Sequence, residues 1–115
     1  MEEGEPMPVE ALRRRYLAFK VEGGTSRRGL EEAIRGSVER LYGLNGLWKL
    51  EPTLIEFDEH HRIGILRCNH RWLPWMRASL TAITEIKGSE VAIHVIRVSG
   101  TLRALRRRLV EGEKT

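Results

Sequence analysis

The sequence predicts an α+β fold: a ferredoxin-like or RRM-like split β-α-β sandwich, with helices packed on a four-stranded antiparallel sheet and a basic helix at the C-terminal end. Three observations predict it. Segments with strand and helix hydrophobic spacing follow one another in the order β-α-β-β-α-β-α. The two middle strands are separated by a short polar turn, which reads as a hairpin. At 115 residues the chain can bury one core, and helices laid on one face of an antiparallel sheet are the simplest way to do so with this order.

Residues 1–11 read as a flexible acidic leader and residues 12–115 as a single domain. In residues 13–21, Leu17, Phe19 and Val21 alternate with Arg14, Tyr16, Ala18 and Lys20, the signature of a strand with one apolar face. Gly23-Gly24 breaks it, and Thr25 or Ser26 can cap the next helix. Leu30, Ile34, Val38, Leu41 and Tyr42 recur at helical spacing, and residues 43–46 end that helix with two glycines and an asparagine. A second strand spans about 53–59, with Ile55 and Phe57 inward and Glu56 and Asp58 outward. Glu59-His60-His61 is the turn, and the third strand covers 62–69. The second helix starts near Trp72, because Pro74 fits only a first turn. It carries Trp72, Trp75, Met76, Leu80, Ile83 and Ile86 to an end at Lys87-Gly88. The fourth strand, 90–98, is apolar on both faces: Val91, Ile93 and Val95 alternate with Ala92, Ile96 and Val98. The second sheet face is therefore expected to be covered, by a partner or by the final helix with its Leu102, Leu105 and Leu109.

Composition excludes several classes. No stretch approaches the ~20 apolar residues of a membrane-spanning helix, and the start Met1-Glu2-Glu3-Gly4-Glu5 lacks the basic and apolar regions of a secretory signal. A soluble, cytoplasmic chain without a membrane partner is expected. Its one cysteine, Cys68, can form neither an internal disulfide nor a Cys-based zinc site and reads as a buried thiol. The net charge of +4 is unevenly spread: the first ten residues hold four Glu and no base, so 20 basic residues face 12 acidic ones beyond them. Sixteen of those bases are Arg, whose planar fork grips phosphate with paired hydrogen bonds. A basic, Arg-rich body points to nucleic acid. The absence of Gln and the presence of only two Asn also fit a thermophilic source.

Enzyme chemistry finds little support. His60, His61, His70 and His94 show no metal-ligand spacing. Glu56 and Asp58 share a strand face, with Glu59 beside them, but an exposed hairpin explains them as well as a Mg²⁺ site does. No phosphate-cradling loop, nucleophile elbow or dinucleotide fingerprint occurs. The third strand, Ile63-Gly64-Ile65-Leu66-Arg67-Cys68, lacks the aromatics on which RRM domains stack bases. Only Tyr16 could stack, so RNA binding would rest on Arg and shape. The final helix is the sharpest signal. Arg103, Arg106, Arg107 and Arg108 surround its leucine stripe, and mutually repelling arginines suit a polyanion; Ser99-Gly100-Thr101 offers backbone N–H groups to a phosphate.

Arg14-Arg15-Tyr16-Leu17, Ile63-Gly64-Ile65-Leu66-Arg67-Cys68, residues 75–86, and His94 through Gly100-Thr101-Leu102 together resemble the ribonuclease P protein component 2 family, over about residues 13–110. The resemblance implies an RRM-like sandwich without the aromatic platform. It also implies two partners, the ribonuclease P RNA and a TIM-barrel-like subunit, ribonuclease P protein component 3, with self-association possible within the complex. In such a particle the RNA, with Mg²⁺, cleaves the 5′ leader from precursor tRNA; the protein binds no cofactor or metal of its own and supplies no catalytic residue. The candidate RNA contacts are Arg13, Arg14, Arg15, Tyr16, Lys20, Arg103, Arg106, Arg107 and Arg108. The candidate protein contacts are Trp72, Trp75, Ile96 and Val98, because two neighbouring indoles are hard to bury in so small a core. Two other readings compete: a ferredoxin-like module that binds a small ligand and dimerises through its sheet, and a stand-alone metal nuclease using Glu56, Asp58 and His60.

Overall fold

The computed structural model describes residues 13–114, so the acidic leader lies outside the described residues. In chain order the elements are β1 (Arg14–Glu22), α1 (Arg27–Leu50), β2 (Thr53–Asp58), β3 (Ile63–Asn69), α2 (Leu73–Thr81), β4 (Glu85–Ile86), β5 (Ser89–Glu90), β6 (Ala92–Ser99) and α3 (Leu102–Lys114). β2, β3, β1 and β6 form one antiparallel sheet in that order. Leu17, Phe19 and Val21 leave β1 on one face, and α1 and α2 cover them with Leu30, Ile34, Val38, Met76 and Leu80. The helices are tied to each other by the buried Ser37 hydroxyl, which donates to the Ser79 carbonyl at 2.7 Å.

α3 lies across the opposite sheet face. Leu105 is fully buried there against Ala18 and Ile65, flanked by Leu102, Leu109, Tyr16 and Ile55. The last helix is thus what covers the second face, and the two-sided apolar pattern of the strands serves two layers within one chain.

Four boundaries differ from the sequence reading, each for a local reason. Ser26 caps α1 as expected, its hydroxyl accepting from the Gly29 N–H at 3.0 Å. The helix does not stop at residues 43–46, however. Gly43, at φ 77°, inserts one non-helical residue, and the chain resumes helical geometry to Leu50 before Glu51 closes it in the left-handed region. Leu41, expected on the buried stripe, is 45 % exposed, whereas Tyr42 packs on the core. In β2 a bulge makes Ile55 the unpaired residue. Leu54 takes the core position expected for Ile55, which moves to the α3 side with Glu56, while Phe57 does face the core. In β6 a second bulge skips Ile96 and returns Val98 to the core face opposite Leu17. Finally, α2 ends at Thr81, whose hydroxyl bonds back to the Arg77 and Ala78 carbonyls. Ile83 and Ile86 are buried but not helical. Ile86 lies in the β4–β5 ribbon, closed by Lys87 and Gly88 at φ 50° and 84°, the two positive φ values of a tight two-residue hairpin loop.

Candidate nucleic-acid interface

The antiparallel β1–β3 pairing sets the first basic surface. It places Arg14 opposite Asn69 and Arg15 opposite Cys68, and the His70 N–H donates to the Arg13 carbonyl at 3.2 Å. The short 3-10 turn His70–Trp72 begins where Asn69 accepts from the Arg71 N–H at 3.0 Å. Arg13, Arg15 and Arg71 are thereby gathered around His70. Its half-buried ring loses solvation, and the three guanidinium groups repel a proton, so its pKa is held below the ordinary imidazole value. The His70 Nε2 atom and the Arg67 Nε atom are both shielded from solvent without a hydrogen-bond partner. Arg14 is drawn off this group toward Glu51, 3.9 Å away. Tyr16 is half-buried on the α3 face. Lys20 pairs with Ile63 five residues further along β1, roughly 17 Å from Arg15 at strand rise, and does not join the cluster.

The second basic surface is α3. Arg103, Arg106, Arg107 and Arg108 are all exposed, as the leucine stripe requires. Arg106 is committed to Glu56, which accepts its guanidinium hydrogen bond. Arg108 borders a shallow cavity of about 420 Å³ whose rim also carries Glu56, Asp58 and His61. The start of α3 is already capped, since Thr101 Oγ1 accepts from the Ala104 N–H at 3.1 Å and Ser99 Oγ from the Thr101 N–H at 3.3 Å.

The carboxylates suspected of metal binding are spent on neighbours. Asp58 accepts from the backbone N–H groups of His60 and His61 and pairs with His61 Nδ1 at 2.8 Å. The hydrogen bonds from His61 hold its carboxyl below the usual range. Among the described residues no three His, Cys, Asp or Glu side chains are placed to share a metal ion.

A model of the Rpp14/Pop5 family matches residues 15–110, from β1 into α3. The chain belongs to the Rpp14/Pop5 family. Ribonuclease P protein component 2 of Pyrococcus furiosus is 37 % identical over 105 residues, covering 90 % of this chain and 88 % of that one. The protein of the same name from Methanocaldococcus jannaschii is 36 % identical over 98 residues, 84 % of this chain and 72 % of that one. A chain in the cryo-EM structure of yeast ribonuclease MRP shares the fold, with a TM-score of 0.66 over 89 % of this chain and 92 % of that chain at 15 % identity. The family span includes both sheet layers and the His70 turn.

The proposed protein contacts do not form one patch. Trp72 and Val98 are half-buried against the core, while Trp75 on α2 and Ile96 on β6 are exposed. Trp72 is flanked by the Trp75 ring at 4.9 Å and by the Lys49 ammonium at 5.2 Å. Sequence reasoning misses the most exposed large apolar side chains among the described residues, Leu44 at 66 % and Trp48 at 80 %, because glycines at 43 and 46 read as the end of the helix that carries them. It also misses Arg67, His70 and Arg71. The signal available for these three was topological: in an antiparallel β1–β3 pair, the end of β3 must lie beside the start of β1.

Cys68 is fully buried, and desolvation pushes its thiol up to about 12. Thiolate is the reactive form, so native protein at pH 8 should react with a thiol-disulfide reagent at least a hundredfold more slowly than the denatured chain. Rapid labelling under native conditions would place Cys68 outside the core.

Proposed function

We propose that the chain is a non-catalytic, RNA-binding protein subunit of ribonuclease P that supports the catalytic RNA in removing 5′ leaders from precursor tRNA in the cytoplasm. The observation that carries this reading is its 37 % identity, over 90 % of its length, to a ribonuclease P protein component 2. The physics is charge neutralisation: guanidinium groups offset the repulsion that opposes a compact RNA fold and help hold the Mg²⁺-dependent form of the RNA. Mg²⁺ is then the RNA's cofactor, and the protein holds none. Ribonuclease P protein component 3 is the protein partner in this reading, with self-association as a further contact. The exposed Leu44 and Trp48 beyond the Gly43 bend offer an apolar surface for that partner.

Reconstitution tests the reading. Precursor-tRNA cleavage is measured with the RNA and the component 3 subunit, with and without this chain. The chain should stimulate cleavage, and Glu56→Ala, Asp58→Ala and His60→Ala should each retain activity within a fewfold, since none of the three belongs to a metal-binding group among the described residues. A thousandfold loss in any one of them, with folding intact, would show that the protein supplies chemistry. Cleavage that is indifferent to the chain would remove it from the particle.

A further inference from the structure

The two arginine groups are not electrostatically equivalent. On α3, Arg106 is paired with Glu56 and Arg108 borders a cavity whose rim holds Glu56 and Asp58, while Arg103 and Arg107 have no carboxylate partner among the described residues. At the other end of the sheet, the ion pairs among the described residues leave Arg13, Arg15, Arg67 and Arg71 without a carboxylate. Arg15 donates only to the Arg14 carbonyl, at 3.1 Å. Its guanidinium also lies against Gly100, where an added Cβ would come 3.6 Å from Nη1. Of the two shielded polar side-chain atoms without a partner among the described residues, His70 Nε2 lies in the turn that follows β3, whereas Arg67 is in register with Tyr16 on the α3 face.

Such an arrangement is costly in the free chain. The guanidinium groups of Arg13, Arg15 and Arg71 have no carboxylate between them, and the shielded His70 Nε2 has no hydrogen-bond partner. Packing does not require it, since Arg13 and Arg71 are exposed. An anion seated among these groups would relieve the repulsion, and fork-shaped donors select phosphate oxygens.

We propose that Arg13, Arg15, Arg71 and His70, beside Gly100 at the foot of α3, form the chain's principal phosphate site and take a backbone phosphate of RNA there, ahead of the arginine run on α3. This deepens the proposed function and rests on its RNA-binding reading. The site is built by tertiary structure from β1, the turn after β3 and the β6–α3 junction. It accounts for the charge imbalance between the two ends of the sheet.

The experiment compares two matched pairs in the full chain, Arg13→Gln/Arg71→Gln and Arg107→Gln/Arg108→Gln. All four side chains are exposed, so neither pair should disturb folding, and thermal melts check this. Affinity for a ribonuclease P RNA transcript is measured across a salt series. Wild type should give a log–log slope of order −3 to −5, and losing two phosphate contacts should make it shallower by about 1.5. The Arg13/Arg71 pair should show that change and bind about tenfold or more weakly at ~0.1 M salt; the α3 pair should change the slope by less than half as much. Equal effects, or a larger one from the α3 pair, would overturn the inference and leave the RNA reading standing. Wild type with no salt-dependent RNA affinity would instead sink the RNA reading. In a parallel arm, inorganic phosphate is titrated against the His70 ring signals by NMR. A response there with an unchanged RNA slope would mean that the site takes free phosphate only, which also overturns the proposal.

Discussion

Gly64→Ala is expected to destabilise the domain by about 2–3 kcal/mol, the upper range for an overpacked core position. Gly64 lies in β3 directly opposite Phe19 in β1, with Phe57 of β2 on its other side. The Phe19 ring is fully buried, and its outer edge lies against the glycine. A Cβ there would come 2.8 Å from Cε1 and 3.0 Å from Cε2 and would collide with Cζ. The ring cannot withdraw, because Leu17, Val21 and the α1 and α2 side chains enclose it. For a domain of this size the loss corresponds to roughly 10–20 °C in melting temperature. Denaturant melts of Gly64→Ala, Phe19→Leu and the double variant isolate the cause. Phe19→Leu alone should be costly, but adding Gly64→Ala to it should cost little more, a coupling expected only of residues in contact. A single Gly64→Ala chain within about 0.5 kcal/mol of wild type, the spread of unremarkable surface changes, would mean that the ring is not there.

Leu105→Ala should have a comparable effect by a different route, costing about 2–4 kcal/mol and releasing α3. The helix has 13 residues, a length at which an isolated helix is marginal in water, and Arg106, Arg107 and Arg108 repel one another along it. Docking therefore holds it, and Leu105 is its one fully buried side chain among the described residues, seated on Ala18 and Ile65. The small Ala18 is what lets the helix approach the sheet. Hydrogen exchange locates the loss: amides of residues 105–109 should exchange much faster in the variant, while those of Leu17 and Phe19 change far less, because α1 and α2 cover the other face. Unchanged protection along α3 would show that Leu105 does not anchor it.

The sequence by itself determined the order of the main elements, the face of β1 that builds the core and the family pattern, and it narrowed the N-cap of α1 to Thr25 or Ser26, because these depend on local periodicity and on residues with few conformational uses. Pro74 in a first turn and the alternation Leu17, Phe19, Val21 each have a single good local solution. It also delimited the basic helix, since Leu102, Leu105 and Leu109 need one buried side and the arginines need another. Only the tertiary structure decided what local periodicity leaves degenerate. One-residue bulges at Ile55 and Ile96 exchange faces downstream, and a bulge carries no signature in a run of β-branched and apolar residues. The Gly43 bend reads as a helix end until packing of Gly46, Leu47 and Leu50 shows that the helix resumes. Likewise, Arg71 is more than fifty residues of chain from Arg13 and Arg15 and comes near them only because β1 and β3 pair antiparallel. Which arginines are neutralised and which stay free is a property of that pairing and of the Glu56 position on the α3 face. Electrostatic environment is set by distance in space, and composition records only the total.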